Sequence, residues 1–506
     1  MRGEDRVSVS RSAALGRGNH PFLASGEKTL FIDGKWVGAI GGRTFSALSP
    51  IDGEALVELA DGDARDVDAA VASARKAFEG PWSRLKPFDR QALLLRLADL
   101  VDREFEDLAW LDTLDMGGPI SFTRGRRNRC VSLLRYYASA TMMVHGETIE
   151  NSVPGEFFTY TMREPVGVVG AIIPWNGPLS SALMKLGPVL ATGCTVVLKP
   201  AEEASLSPLR LAELVMEAGF PAGVVNVVTG RGPATGAALA SHGDVDKVAF
   251  TGSHVTGQKI VQASAGNLKR LTLELGGKSP DIVFADADLD AAVPGAAMGV
   301  FTNSGQICVA GSRLFVERKI YDAFVDKVAA FGKALRVGQP LDPATQIGPL
   351  VSATQLERVT GYFDIGKAEG ARLLAGGERL TDSDLAKGYF VAPTVFADVA
   401  DDMRIAREEI FGPVISAIPF DDVDDLIRRA NSTIFGLGSG VWTRDVRKAH
   451  KTARAVRAGT VWINSYGALD VQVPFGGYKM SGYGRECGRE SLDPYLQTKS
   501  VFMNID

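Results

Sequence analysis

Cys308 lies in Phe301-Thr-Asn-Ser-Gly-Gln-Ile-Cys308-Val-Ala-Gly-Ser-Arg313, one thiol among small and polar residues. Upstream, Leu273-Glu274-Leu-Gly-Gly-Lys278 wedges an acid between leucines and follows it with two glycines. A thiol is the most nucleophilic ordinary side chain near neutral pH. A carboxyl group in apolar surroundings has its pKa raised toward the range of a general base. Together they point to covalent chemistry followed by activation of water. A Cys alone is more often a small buried hydrophobe, so the case for a nucleophile rests on its surroundings.

The elements that must position this pair begin at residue 166. Strands are expected at Val166–Ile173, Thr195–Leu198, Val224–Val228, Lys247–Phe250 and Leu271–Leu275, with helices from Leu179 and over Leu206–Ala218, Pro233–Ser241 and His254–Ala265. Such alternation with short links predicts a parallel, doubly wound α/β sheet. These sheets bind ligands beyond the carboxyl ends of their strands. After Gly277 a second α/β rhythm runs through Cys308, Ala406–Pro413, Ala458–Asn464 and Val473–Gly477. Residues 64–116 carry helical periodicity. Thr148–Met162, with β-branched and aromatic residues around Pro154-Gly155, reads as a projecting hairpin, and Gln497–Asn504 reads as a strand. Residues 1–26 show no periodicity and no apolar signal core, and are expected to form a mobile arm.

The 506 residues give room for two or three domains, and 45% hydrophobic content is ordinary for a globular chain. A net charge of −5 gives no general basis for binding nucleic acid or an anionic membrane. No apolar run nears the roughly 20 residues that span a bilayer. Four cysteines (Cys130, Cys194, Cys308, Cys487) and five scattered histidines form neither a disulfide framework nor a zinc motif. A reducing compartment, the cytoplasm, fits best, and no metal is expected.

The strand ends carry Pro174-Trp-Asn176, Lys199-Pro-Ala-Glu202, Phe250-Thr-Gly-Ser253 and Glu274-Leu-Gly-Gly277. Each is weak alone: Asn176 could be a turn residue and Ser253 a plain helix cap. A Gly-x-Gly-x-x-Gly is absent, and Gly230-Arg-Gly-Pro-Ala-Thr-Gly236 misses it by one residue. In this order, with Gly-Gln-Ile-Cys308, Glu409-Ile-Phe411 and Pro474-Phe-Gly-Gly477 following, the set closely resembles the NAD(P)-dependent aldehyde dehydrogenase superfamily from about Phe31 to Val501.

The resemblance implies a Rossmann-like cofactor domain (27–147 and 166–276), a second α/β catalytic domain (277–480), and a small β oligomerisation arm (148–165 and 488–506). Cys308 would be the nucleophile. Asn176 and the Cys308 backbone N–H would stabilise the oxyanion, and Glu274 would activate water against the thioester. Branches that pass the acyl group to coenzyme A generally lack this acid, so hydrolysis is expected. Lys185 and Glu486 match positions proposed to relay protons from Glu274, and a structural ion pair is an equal reading.

By the same resemblance, Ile172, Ile173, Pro174 and Trp175 would line the approach of NAD. Lys199, Ala201 and Glu202 would hold the adenosine ribose. A carboxylate there repels a 2′-phosphate, which favours NAD over NADP. Gly252, Ser253 and Thr256, with Phe250 and Thr251 before them, would meet the pyrophosphate at a helix start. Gly232 and Gly236 would flank the adenine. Glu409 would bind the nicotinamide ribose with Phe411 packing beside it, and Leu275, Gly276 and Gln355 would also contact the cofactor. A homodimer or homotetramer is expected.

Where relatives often carry bulky aromatics, this chain has Gly177 and Met184; Ile307 and Val309 flank the thiol, and Leu469 lies on the far loop. The expected pocket is wide and apolar, with no Arg or Lys at an obvious pocket position. That favours a bulky, aromatic or medium-chain apolar aldehyde over a semialdehyde or a betaine aldehyde, which usually needs an aromatic box. The alternatives are a semialdehyde or betaine-aldehyde dehydrogenase of the same superfamily, a non-catalytic structural protein with this fold, and a thiol hydrolase with no redox step.

Overall fold

Runs such as Val168-Val-Gly-Ala-Ile172 and Thr195-Val-Val-Leu-Lys199 are buried at every residue. Such runs suit only the interior of a parallel sheet covered on both faces. In the computed structural model, which describes residues 20–506, they are neighbours in an eight-stranded sheet. Its centre is parallel: Arg270–Glu274, Lys247–Thr251, Val168–Ile172, Thr195–Lys199 and Val225–Val227, in that spatial order. Leu30–Ile32 with Lys35–Val37 closes one edge and Gly482–Tyr483 the other, all antiparallel.

Helices cover both faces. Leu94, Leu97, Leu186, Val189 and Leu211 pack on one side; Val67, Val71, Val197, Leu239 and Val248 pack on the other. Pro178 starts the helix Pro178–Thr192, where its missing N–H costs nothing, and Gly193 ends it in the left-handed region at φ 89°.

A second sheet of seven strands begins at Pro280–Val283, with Arg372–Ala375 the one antiparallel member, at an edge. Its faces bury Ile282, Phe315 and Phe363 on one side and Phe301, Phe324 and Val395 on the other. The chain then returns to the first sheet, where Glu274 is paired with Gly482 and Leu273 with Tyr483.

Two expectations change. The segment 148–165 is not a self-contained hairpin. Phe157–Pro165 pairs along its whole length with Leu496–Asn504, while 148–156 folds back on it through a bridge from Thr148 to Tyr160, the Ile149 N–H to the Thr159 carbonyl and the Asn151 amide to the Phe157 carbonyl. The expected mobile arm lies outside the described residues up to residue 19, but from His20 the chain is packed. His20 stacks on Trp110 at 4.6 Å, and Phe22 and Leu23 join the first core.

Among the described residues, no helix is long and apolar enough to cross a membrane, and no cluster of three His, Cys, Asp or Glu side chains could hold a metal ion.

Candidate functional site

The register of the parallel strands places the quoted motifs side by side. Glu274 pairs with Thr251, Phe250 with Ile172, and Ile172 with Lys199. One row of strand ends thus faces the second sheet across a cleft of about 610 Å³. Pro174, Trp175, Asn176, Thr251, Gly252, Ser253, Glu274, Leu275 and Gly276 line it from the first sheet. Cys308, Gln355, Glu409 and Phe411 line it from the second.

The loop that carries Cys308 is held in an unusual conformation. After the helix Leu289–Phe301, Asn303, Ser304 and Gly305 all have positive φ, at 52°, 56° and 74°. Non-glycine residues enter this region only at a cost that the surroundings must cover. Here Ser304 Oγ donates to the Gly348 carbonyl at 2.7 Å, and Gln306 Oε1 accepts from the Val351 N–H at 2.9 Å. A Cβ on Gly305 would collide with the Gly412 backbone. Gly277 passes close behind the thiol, where a Cβ would stand 2.5 Å from the Cys308 carbonyl oxygen.

Asn176 Nδ2 donates to the Gln306 carbonyl at 2.8 Å, and Asn303 Nδ2 donates to the Asn176 carbonyl at 3.2 Å. These bonds fix the Asn176 amide beside the thiol loop and leave its second N–H free of a recorded partner. Glu274 is buried, and neither carboxyl oxygen has a hydrogen-bond partner. One oxygen lies against Gly476, where a Cβ would come within 2.7 Å. Burial pushes the Glu274 carboxyl up to about 8, with Lys185 and Arg485 pulling weakly the other way. Burial brings Lys185 down to about 8. Its ammonium donates to Glu486 Oε1, in a pair closed off from solvent.

Cys308 itself differs from expectation. Burial, and then the carboxyl groups of Glu409 and Glu274, push its thiol up to about 12. A free thiol, with a pKa of about 8.5, is a few per cent thiolate at pH 7; this one is held protonated until a base or a cation joins it.

Glu409 Oε1 accepts from the Gly277 N–H at 2.9 Å, and a Cβ on Gly276 would strike the same carboxylate. Gln355 Nε2 donates to the Phe411 carbonyl at 2.7 Å, and Trp175 meets the Phe411 ring edge-on at 5.2 Å. Ser253 caps the helix His254–Ala263 by accepting from the Thr256 N–H, which turns that helix start toward the cleft. Helix starts present unpaired N–H groups to anions.

Lys199 Nζ donates to Glu202 Oε2 at 3.0 Å, and Glu202 Oε1 accepts from the Gly232 N–H at 3.3 Å. Burial opposes charge on Glu202, but Lys199 outweighs it and the net shift is downward. Ala201 carries the turn beneath this pair through its carbonyl, and Gly236 is open, with nothing near its missing Cβ. Ile172, Ile173 and Phe250 are buried below the strand ends and do not line the cleft. His254, Arg358, Tyr362, Glu408 and Phe435 do line it and were not anticipated. Their motifs are not distinctive, since they sit on helix faces and loops that read as ordinary surface.

On the far side of the thiol, Ile307 packs against a small cluster of Val309, Leu437, Trp462 and Phe475. Val309 is buried within that cluster, and Leu469 is exposed. Arg126 fills the space a side chain at position 177 would take, because a Cβ on Gly177 would collide with its Nη1. Arg129 Nη2 stands 4.0 Å from Met184 Sδ.

The aldehyde dehydrogenase family model matches residues 36–501. The protein DhaS of Bacillus subtilis (strain 168) is 51% identical over 483 residues, 95% of this chain and 96% of that one. Human mitochondrial aldehyde dehydrogenase is 49% identical over 482 residues, 94% and 92% of the two chains. The NAD+ complex of aldehyde dehydrogenase from Bacillus cereus superposes with a TM-score of 0.94 at 49% identity, covering 97% of this chain and 99% of that one. With a match over nearly its whole length, and with thiol, amide and buried acid gathered on one cleft between two α/β sheets, the chain belongs to the aldehyde dehydrogenase family.

Proposed function

We propose that this enzyme oxidises an aldehyde to a carboxylic acid with NAD, through a thioester on Cys308 that water resolves. The observation that carries the reading is the convergence of Cys308, Asn176, Glu274 and Glu409 on one cleft. Its volume, its glycine-lined floor and the capped helix start at Ser253 fit a dinucleotide. Lys199 and Glu202 would hold the adenosine ribose, and Glu409 the second ribose beside Gly276. Glu202 argues for NAD over NADP, because its charge meets a 2′-phosphate unfavourably. Bound there, NAD supplies the hydride acceptor.

The remaining chemistry belongs to the chain. With the positive charge that bound NAD would bring lowering its pKa, the Cys308 thiol releases its proton to water in the cleft, its sulfur attacks the aldehyde carbon, and the free N–H of Asn176 together with the Cys308 backbone N–H receives the oxyanion. The carbon loses hydride and becomes a thioester carbonyl. Glu274, with no internal partner for its oxygens, takes a proton from water as that water attacks the thioester. The carboxylic acid leaves and the thiol is restored. The Lys185–Glu486 pair lies behind Glu274, a fitting exit for the proton.

The walls beside the thiol, Ile307 and the cluster behind it, suit an apolar body on the aldehyde. The Phe157–Pro165 and Leu496–Asn504 ribbon exposes Phe158, Met162 and Met503 on one face, which fits a face covered by a second copy. The test of the reaction is NADH formation with and without the thiol. Cys308→Ala should abolish it while NAD binding, measured by calorimetry, is retained. NADH formation by Cys308→Ala, or turnover of aldehyde without NAD, would sink this reading.

A further inference from the structure

We propose that Tyr466 is a positioning residue for the nucleophile: its hydroxyl pins the turn that carries Cys308, and so sets the thiol and its backbone N–H for the aldehyde. The inference rests on the reaction proposed above and adds a residue to it.

Cys308 is the second residue of a tight turn, closed by the Ala310 N–H donating to the Ile307 carbonyl at 3.0 Å. That bond shapes the turn but does not fix it against the rest of the molecule. Two contacts from outside do so. Gly277 packs against the Cys308 carbonyl, where no side chain would fit. The Tyr466 hydroxyl donates to the Val309 carbonyl at 2.7 Å. The Cys308 N–H, assigned above to the oxyanion, thus belongs to a turn held at the next two carbonyls.

The fold prepares a slot for this tyrosine. The chain leaves the strand Thr460–Ile463 through Asn464, in the left-handed region at φ 53°. Asn464 Oδ1 accepts from the Thr443 N–H at 3.0 Å, which keeps the strained residue in place. Gly299, Gly311 and Gly440 make room for the ring that follows. A Cβ on any of the three would stand 2.6–3.0 Å from a Tyr466 ring carbon. The Trp462 ring closes the slot at 4.9 Å, and Trp462 Nε1 donates to the Ala468 carbonyl at 2.7 Å, holding the loop that ends at Leu469.

Filling a slot does not call for a hydroxyl. A phenylalanine ring would pack as well, and a buried hydroxyl is costly unless it is bonded. The polar atom of Tyr466 is aimed at the residue after the thiol, so it joins the loop beyond the thiol to the turn that presents it.

The test is Tyr466→Phe, which removes one oxygen and keeps the ring in its slot. NADH binding, followed by fluorescence, should match the wild type. Single-turnover hydride transfer at saturating NAD and aldehyde should slow by at least about tenfold, because small misplacements of reacting atoms are costly. Alkylation of Cys308 by iodoacetamide in the free enzyme, read by mass spectrometry, should quicken by at least about threefold, because a loosened turn lets the thiol reach water. An unchanged rate in either measurement would overturn the proposal. So would loss of NADH binding, since Tyr466 would then hold the fold rather than the turn. Alkylation needs no turnover: were the wild type to form no NADH from any aldehyde, the reaction would be refuted, and the alkylation rates would still decide whether Tyr466 pins the thiol.

Discussion

The side-chain amide of Asn176 and the backbone carbonyl of Gln306 are joined by a 2.8 Å hydrogen bond that crosses from the first sheet to the loop of the nucleophile. The amide nitrogen has two hydrogens, so one positions the loop and the other stays available for a developing oxyanion. Asn176→Ala should therefore lower kcat about 10²–10³-fold. The KM for NAD should hold, because the Lys199–Glu202 pair is untouched. Single-turnover measurement of hydride transfer gives the check: an unchanged rate would remove Asn176 from the reaction.

Glu274 acts as a base only when deprotonated, and burial places its pKa at about 8. Where thioester hydrolysis limits turnover, the rate should rise from pH 7 to 9 by about tenfold, as the base form grows from roughly a tenth to nine tenths. Glu274→Gln should flatten that rise. It should also leave a burst of NADH equal to the enzyme concentration, because with NAD bound thioester formation uses the thiol and the amide but not the acid. Stopped-flow absorbance measures both.

Glu202 is held by Lys199 and by the Gly232 N–H in the place proposed for the adenosine ribose. Glu202→Ser should raise the NADP to NAD ratio of kcat/KM by at least about tenfold, as a carboxylate no longer opposes the 2′-phosphate. An unchanged ratio would move the ribose elsewhere.

The exposed apolar side chains of the terminal ribbon offer a test of assembly. Phe158→Asp combined with Met503→Asp places charge on one face of the ribbon without touching a core residue, as these cross-strand partners are 46% and 49% exposed. Light scattering should show a lower mass than the wild type. A wild-type monomer at micromolar concentration would remove the ribbon's proposed role.

Much of the site was legible because parallel strands announce themselves. Val168–Ile172 is apolar throughout and Lys247–Thr251 has the apolar centre Val248-Ala-Phe250, so the motifs that follow them had to share one sheet edge. Cys308 and Glu274 were legible from their neighbours. The pairing of Phe157–Pro165 was not, since its partner strand lies at the opposite end of the chain and a local Pro-Gly turn offered a nearer one. Arg126 escaped for a related reason. In Arg124-Gly-Arg-Arg-Asn-Arg129 it reads as one of several solvated cations, and only Gly177, far downstream, explains why this one turns inward. The protonated state of Cys308 was also hidden, because it depends first on burial and then on two carboxyl groups that folding alone brings near.

The pairing of Glu274 with Gly482 gives the polypeptide a particular circuitry. The chain leaves the first sheet at the acid and re-enters it on the adjacent strand, so everything between, including the thiol, is topologically a closed excursion. Departure and return share one seam. The buried acid thus sits at the seam where both chain crossings between the sheets meet, so its position is fixed by two segments more than two hundred residues apart.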